Sequence, residues 1–501
     1  MQKCSFRHQI PKPAVMPKKF FLFLAVAMSS VVLILSFTPT RNLEKFSRSI
    51  PHYSSDTTGP LSIKAKGHKG KMLVSKAGVI SFSSGLDNDY YQLDSLNRIG
   101  YLYLETRLDK FINEKTTRIP LNLSIVIDRS GSMEGDKMQN AKKAAKDIVD
   151  KLTPDDFVSI VIYDNEIEVI QTAVQVLDTT AINSKINKVT SRGSTNLWGG
   201  TEKGYEQVRA NYKRNYVNRV LLISDGLANV GIISPIDIKK KVQDYKDREG
   251  ITISTFGVGL DYNELLMTDM AEAGAGNYYY IESPDKMAAL FDKELNGLLN
   301  VAAQNAELTI KLPQEVKLEK VFAFKYDERG SEVNIKFRDL FSEETKGVLL
   351  RFSINDQANS RLKFISTLGY DDVSNGQRKI LVNENILTPS RNTETYLTYF
   401  NKPVLQQTIL FIANENMEKA MLEADKGNYN GAMQLLDANN VYMRLNYFYR
   451  DSSIEIRKLD TLNYNYSIKL QRAGTLSADS MKMLQKSNRA KSYDLRTKKN
   501  N

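Results

Sequence analysis

The chain is poor in the residues that most often carry out chemistry. In 501 residues it has one cysteine, Cys4, three histidines, His8, His52 and His68, and one tryptophan, Trp198. A lone cysteine permits no intrachain disulfide, and its place ahead of an apolar N-terminal stretch argues against a structural role. All three histidines precede the segments that read as folded core, which excludes an imidazole catalyst or metal ligand from the main folded part. The His-Glu-x-x-His pattern of zinc proteases, the nucleotide phosphate loop and the Gly-x-Ser-x-Gly nucleophile elbow are all absent. There is no arginine-rich stripe with spaced aromatics either. The formal net charge of +11 is spread along the chain and interleaved with acids, so nucleic acid is not an expected partner.

What is present is an ordinary globular balance, 42% apolar and 25% charged. The length suits roughly two to four domains. Residues 20–37, FFLFLAVAMSSVVLILSF, carry no charge. Their number lies at the lower edge of a membrane span and above the usual core of a signal peptide. Lys3, Arg7, Lys12, Lys18 and Lys19 precede the stretch, and Arg41, Lys45 and Arg48 follow it. That bias places the N-terminus in the cytoplasm and the remainder across the membrane. Residues 1–37 are therefore expected to be a signal anchor or signal peptide. The rest is expected to be membrane-anchored or secreted, in the periplasm or at the cell surface. Residues 38–70 are polar and read as a flexible linker.

Beyond this, composition changes character along the chain. Residues 71–118 hold strand-like runs such as MLVSKAGVISF and IGYLYLETRL. Between 119 and 300, short apolar runs (LSIVI, FVSIVIY, VLLIS, ITISTFGVG) alternate with helical patterns. Continuous apolar strands separated by helices predict an α/β domain with a doubly wound, mainly parallel sheet covered on both faces. Met138, Ala141, Ala145, Ile148 and Leu152 fall on one helical face. Residues 301–397 return to alternation and read as antiparallel strands. Neither flanking β block looks complete alone, so the expectation is one β-sandwich, 71–118 pairing with 301–390, into which the α/β domain is inserted. Residues 398–490 read as a helical hairpin region and 491–501 as a basic tail.

Ligands of open α/β sheets bind at the carboxyl ends of the strands. Three segments can meet there. DRSGS, after LSIVI, supplies Asp128, Ser130 and Ser132; SRGSTNLWGG contains Thr195; SDGLAN, after VLLIS, contains Asp225. Two carboxylates balance a +2 charge and three hydroxyls add neutral oxygens, a donor set for a hard divalent cation. Without histidine or cysteine, zinc and copper fit poorly, whereas Mg²⁺, Mn²⁺ or Ca²⁺ fit, with Mg²⁺ first. In an extended turn the alternation lets Asp128, Ser130 and Ser132 face one point and throws Arg129 outward. Taken singly, each segment also suits a helix cap or a simple turn. Trp198 reads either as a recognition aromatic or as a packed loop residue.

The five positions, in this order and each after its strand or loop, resemble the metal-ion-dependent adhesion site of the von Willebrand factor type A family. The resemblance covers residues 119–300. RIPLNLSIVIDRSGSM, GNYYYIESPDKMAALFDKELNGLL and VAAQNAELTIKL look like the corresponding segments of its bacterial envelope members. The resemblance implies a strand order 3-2-1-4-5-6 with the metal at the carboxyl edge. It also implies a protein ligand whose acidic side chain completes the coordination, and a last helix, here residues 283–299, able to shift when the metal loop rearranges. Arg129 departs from the uncharged residue more usual at its position, and with Trp198 it is a candidate partner contact.

The functional expectation is thus a divalent-cation-dependent protein-binding module of the cell envelope, for adhesion or assembly, and not an enzyme. The alternatives are an envelope protein whose metal only braces the loops, and a metal-dependent hydrolase or ATPase-partner subunit.

Overall fold

The computed structural model describes residues 65–95, 98–110, 118–373, 375–472 and 476–498. Cys4, His8, His52 and the apolar stretch at 20–37 lie outside the described residues.

The described residues begin with four strands, β1 (Leu73–Ala77), β2 (Ile80–Leu86), β3 (Tyr90–Gln92) and β4 (Ile99–Leu108). The chain then enters the α/β domain with β5 (Leu121–Asp128), α1 (Asp136–Val149), β6 (Phe157–Tyr163), β7 (Ile167–Gln175), α2 (Thr179–Asn187), α3 (Leu197–Ala210) and β8 (Val217–Ser224). The domain closes with α4 (Pro235–Asp244), β9 (Thr252–Val258), α5 (Glu264–Ala273), β10 (Tyr278–Ile281) and α6 (Met287–Leu299). Its sheet runs β7-β6-β5-β8-β9-β10, which is 3-2-1-4-5-6 in order of appearance. All neighbours are parallel except the β6–β7 hairpin at one edge. β5 and β8 are buried along their whole length because helices cover both faces. On one side Met138, Ala141, Ala145 and Ile148 of α1 and Phe291 and Leu295 of α6 share a core with Ile125 and Ile127. On the other, α3, α4 and α5 pack over Val126, Val220 and Leu222.

From α6 the chain passes directly into β11 (Val301–Lys311), then β12 (Val316–Phe322), β13 (Asp327–Arg329), β14 (Glu332–Phe341), β15 (Thr345–Ile354), β16 (Leu362–Asp372) and β17 (Arg378–Ser390). One sheet runs β1-β2-β4-β15-β12 and the other β13-β14-β11-β16-β17-β3. The first mixes strands from before and after the α/β domain, β4 pairing with β15 from Ile99↔Ser353 to Arg107↔Thr345. The two sheets face each other across one apolar core. The α/β domain is therefore inserted in a two-sheet sandwich, as strand counting predicts.

The C-terminal part is more than a hairpin. After α7 (Thr393–Thr398) come α8 (Lys402–Asp425) and α9 (Tyr429–Leu445), the expected antiparallel pair, then α10 (Tyr447–Asp451), α11 (Ile454–Gln471) and α12 (Ala478–Thr497). Helix α12 runs through residues read from sequence as a basic tail. Arg489 pairs with Glu264 and Asp425, Arg496 with Glu272 and Glu418, and Lys498, just past the helix, with Glu105. This segment thereby ties the α/β domain, the helices and the sandwich together. Chain order hides these acids, which lie more than sixty positions away. The linker reading also ends early. Lys66 N donates to Leu397 O at 2.7 Å, and the His68 ring stacks on Phe448 and meets the Tyr449 hydroxyl at 2.9 Å. His68 thus belongs to the folded part, as an aromatic packing residue.

Candidate metal centre

β5 ends in Asp128 because the apolar run stops at Ile127 and the backbone turns away: Arg129 N donates to Tyr163 O at the end of β6. The Asp128 carboxylate stays buried. Its Oδ1 accepts from the Ser130 backbone N–H at 2.8 Å and its Oδ2 from the Ser224 hydroxyl at 2.7 Å. Ser130 Oγ lies 3.2 Å from Ser132 Oγ, and Ser132 Oγ donates to Asp225 Oδ1 at 2.8 Å. A continuous chain of oxygens therefore links the end of β5 to the end of β8. Asp128, Ser130, Thr195 and Asp225 are buried and Ser132 is exposed, so the cluster opens to solvent on the Ser132 side.

Thr195 joins through backbone contacts between loops. Arg192 N donates to Arg129 O at 2.7 Å, and Gly131 N donates to Gly193 O at 3.1 Å. Gly193 has φ +71°, and a Cβ there would strike Asn165 Oδ1, so this close approach requires glycine. Thr195 itself is clasped by Asn229, whose side chain accepts from Thr195 N at 2.9 Å and whose N–H donates to Thr195 O at 3.1 Å. A Cβ on Gly226 would lie 2.8 Å from Thr195 Oγ1 and 3.5 Å from Asp128 Oδ2. Those two oxygens flank one small space that only glycine leaves open.

The structure thus gathers all five predicted oxygen donors at the carboxyl edge of the sheet. Burial pushes the Asp128 carboxyl up to about 6, against hydrogen bonds from Ser130 and Ser224 and with the Asp225 charge adding to the rise. Two buried carboxylates beside three hydroxyls are short of positive charge, and an oxygen-only donor set of this size fits a hard divalent cation. Among the described residues no group of three or more His, Cys, Asp or Glu side chains could hold a metal. Such an ion would therefore depend on the hydroxyls as well as the two aspartates.

Both candidate partner contacts, Arg129 and Trp198, are buried. Arg129 does not point outward: its guanidinium lies under the loops, with Nε 3.0 Å from Asp164 Oδ2 and Nη1 3.1 Å from Glu168 Oε2. Strand alternation cannot predict this, because the strand has ended and Asp164, buried at the end of the neighbouring strand, attracts the cation. Asp164 also holds Arg192, at 2.8 Å. Trp198 is buried in the first turn of α3, with Tyr245 beside it and Lys241 over its ring. Both residues support the loops from behind.

Several residues of the site escape a motif search. Ser224, Asp164 and Asn229 each stand at or just beyond a predicted strand end, and that placement was their available signal. Lys137 had none. From the first turn of α1 its ammonium reaches Asp225 Oδ2 at 2.5 Å and Ser132 O at 3.2 Å.

Residues 122–293 match the von Willebrand factor type A domain family. The chain is 34% identical over 203 residues to the uncharacterized protein YfbK of Escherichia coli, covering 40% of this chain and 35% of that one. It is 27% identical over 290 residues to the uncharacterized protein sll0103 of Synechocystis, covering 55% of this chain and 68% of that one. The chain thus spans about a third of the first relative's length. Among solved structures, a von Willebrand factor type A protein from Catenulispora acidiphila superposes with a TM-score of 0.62 at 14% identity, covering 77% of this chain and 91% of that one. That likeness reaches well beyond the α/β domain and shows a shared fold. Strand order, sequence match and superposition agree: residues 122–293 are a von Willebrand factor type A domain.

Proposed function

We propose that this domain is a divalent-cation-dependent protein-binding module, serving adhesion or assembly at the cell envelope, and that it is not an enzyme. Domains of this family are typically protein-interaction or adhesion modules and commonly bind a divalent cation. The observation that carries the reading is the gathering of Asp128, Ser130, Ser132, Thr195 and Asp225, from three separate segments, around one opening at the sheet edge. Mg²⁺ suits these oxygens, with Mn²⁺ or Ca²⁺ as alternatives. A partner's carboxylate entering on the exposed Ser132 side would complete the shell, an interaction strengthened by the buried surroundings. The loops are already cross-linked by direct backbone hydrogen bonds, which speaks against a metal needed only as a brace.

The apolar stretch at 20–37 and its flanking charges support placement on the extracytoplasmic side, by a retained anchor or a cleaved signal. Among the described residues no helix is long and apolar enough to cross a membrane.

The test is a pulldown from envelope extract with wild-type and Asp128→Ala protein, each with and without EDTA. Proteins retained only by the wild type, and only without EDTA, support the reading. The same proteins in all four samples would sink it.

A further inference from the structure

A buried carboxylate needs a cation or strong donors. Asp128 receives hydrogen bonds from the Ser130 N–H and the Ser224 hydroxyl. Asp225, fully buried, has the Ser132 hydroxyl and the Lys137 ammonium. Among the described residues Lys137 is the cation in hydrogen-bond contact with either site carboxylate; Arg129 is committed to Asp164 and Glu168, and Arg192 to Asp164 and Glu166.

Lys137 sits where a cation is otherwise disfavoured. It belongs to the first turn of α1, at the positive end of the helix dipole, and the contact with Asp225 offsets that cost. Its side chain passes the end of β9, where a Cβ on Gly259 would come within 3.4 Å of its Cε. About a quarter of the side chain remains exposed, 26%, so a route to solvent is open.

We propose that Lys137 is a built-in counter-cation for Asp225, which a divalent ion must displace in order to bind. The inference rests on the metal-binding reading above and adds a residue that sets affinity. An ion held by Asp225 and Ser132 would lie within a few ångströms of the ammonium, and a +2 and a +1 charge cannot share one buried carboxylate without strong repulsion. The four-carbon stem of lysine lets the ammonium swing out to solvent, whereas the shorter, hydrogen-bonded ligands stay in place. The same contact neutralises Asp225 when no ion is bound, so Lys137 both weakens metal binding and protects the metal-free domain.

The experiment is calorimetric titration of MgCl₂ into EDTA-stripped, detergent-solubilised full chain, comparing wild type with Lys137→Met and Lys137→Gln, with melting temperature as a second readout. Both variants are expected to bind Mg²⁺ at least about tenfold more tightly than wild type, and to melt lower in EDTA with recovery in Mg²⁺. Binding by the variants alone is the extreme form of that result. Variant affinities equal to or weaker than wild type overturn the role of Lys137 and leave the metal site standing. Variants that collapse and are not rescued by Mg²⁺ also overturn it, because Lys137 is then purely structural. Absence of Mg²⁺ binding by all three proteins, with folds intact, overturns the metal-binding reading and this inference with it.

Discussion

Strand β8 carries a buried polar cluster near each end, and the two are built on opposite principles. Near its start, Arg219 is fully buried and paired within the protein. Its Nη1 pairs with Glu294 Oε1 at 2.8 Å, its Nε donates to Thr252 Oγ1 at 2.9 Å, and its guanidinium lies over the Phe341 ring. Glu294 in turn accepts from Ser254, Asn277 and Tyr279, while Asp339 stands 3.7 Å from Arg219 Nη2. At its other end, Ser224 and Asp225 belong to a cluster of two carboxylates, several hydroxyls and one movable lysine. A structural cluster supplies its own counter-charges from rigid elements. The cluster at the sheet edge holds two buried carboxylates against one lysine and opens to solvent at Ser132, which is what binding an ion from outside requires. The closed cluster also joins β8, helix α6 and sandwich strand β14, so it anchors the helix that leads from the domain into β11.

Breaking the closed cluster is expected to have the largest effect. Arg219→Leu strands a buried carboxylate and should lower unfolding stability by about 3–5 kcal/mol in urea, with no recovery in Mg²⁺. Replacing Arg219 and Glu294 together by methionine should cost far less.

The open cluster should respond in the opposite way. Asp128→Asn removes a buried charge and should leave the EDTA-treated protein as stable as wild type or more so. Mg²⁺ at a hundred times its dissociation constant should raise wild-type stability by about 2.7 kcal/mol and leave this variant unmoved. If Mg²⁺ stabilises both alike, the contrast between the two clusters fails.

Gly226→Ala places a methyl 2.8 Å from Thr195 Oγ1. A cost of roughly 1–3 kcal/mol is expected, together with weakened Mg²⁺ binding, because the hydroxyl must move off its position.

The smallest effect concerns pH. Burial alone would raise the Glu294 carboxyl, but Arg219 and the hydrogen bonds from Asn277 and Ser254 hold it below its ordinary value of 4.5. An acid held low in the folded state contributes stability that is complete above that value and lost as pH falls through the lowered one. The stability difference between wild type and Glu294→Gln should therefore be level at neutral pH and shrink below about pH 4.5. A difference that grows on acidification would contradict the closed cluster.

Much of the fold was legible because two periodicities dominate the sequence. Short unbroken runs rich in Ile and Val, such as LSIVI and FVSIVIY, fit strands buried on both faces, and the helix over Met138–Ile148 shows its apolar stripe plainly. The metal candidates were legible because each stands immediately beyond such a strand or in a glycine-rich loop. The inward turn of Arg129 and the partners of Trp198, read from sequence as a recognition aromatic or a packed loop residue, escaped the sequence for a common reason. Loop side chains follow the charges and cavities that distant segments provide, and Asp164 and Tyr245 are not neighbours of either in the chain. Arg496 of α12 read as part of a tail because its acids lie in α5 and α8.

The sequence by itself determined that an α/β domain lies between two incomplete β blocks, and it named five oxygen donors, because local spacing and apolar patterning encode these; the strand order came from the resemblance to the von Willebrand factor type A family. Tertiary structure alone decided how charge is balanced. Electrostatic partners are chosen by distance in space, so Arg129 turned inward to Asp164, Arg219 was closed off with Glu294, and Asp225 was given Lys137 and an open edge.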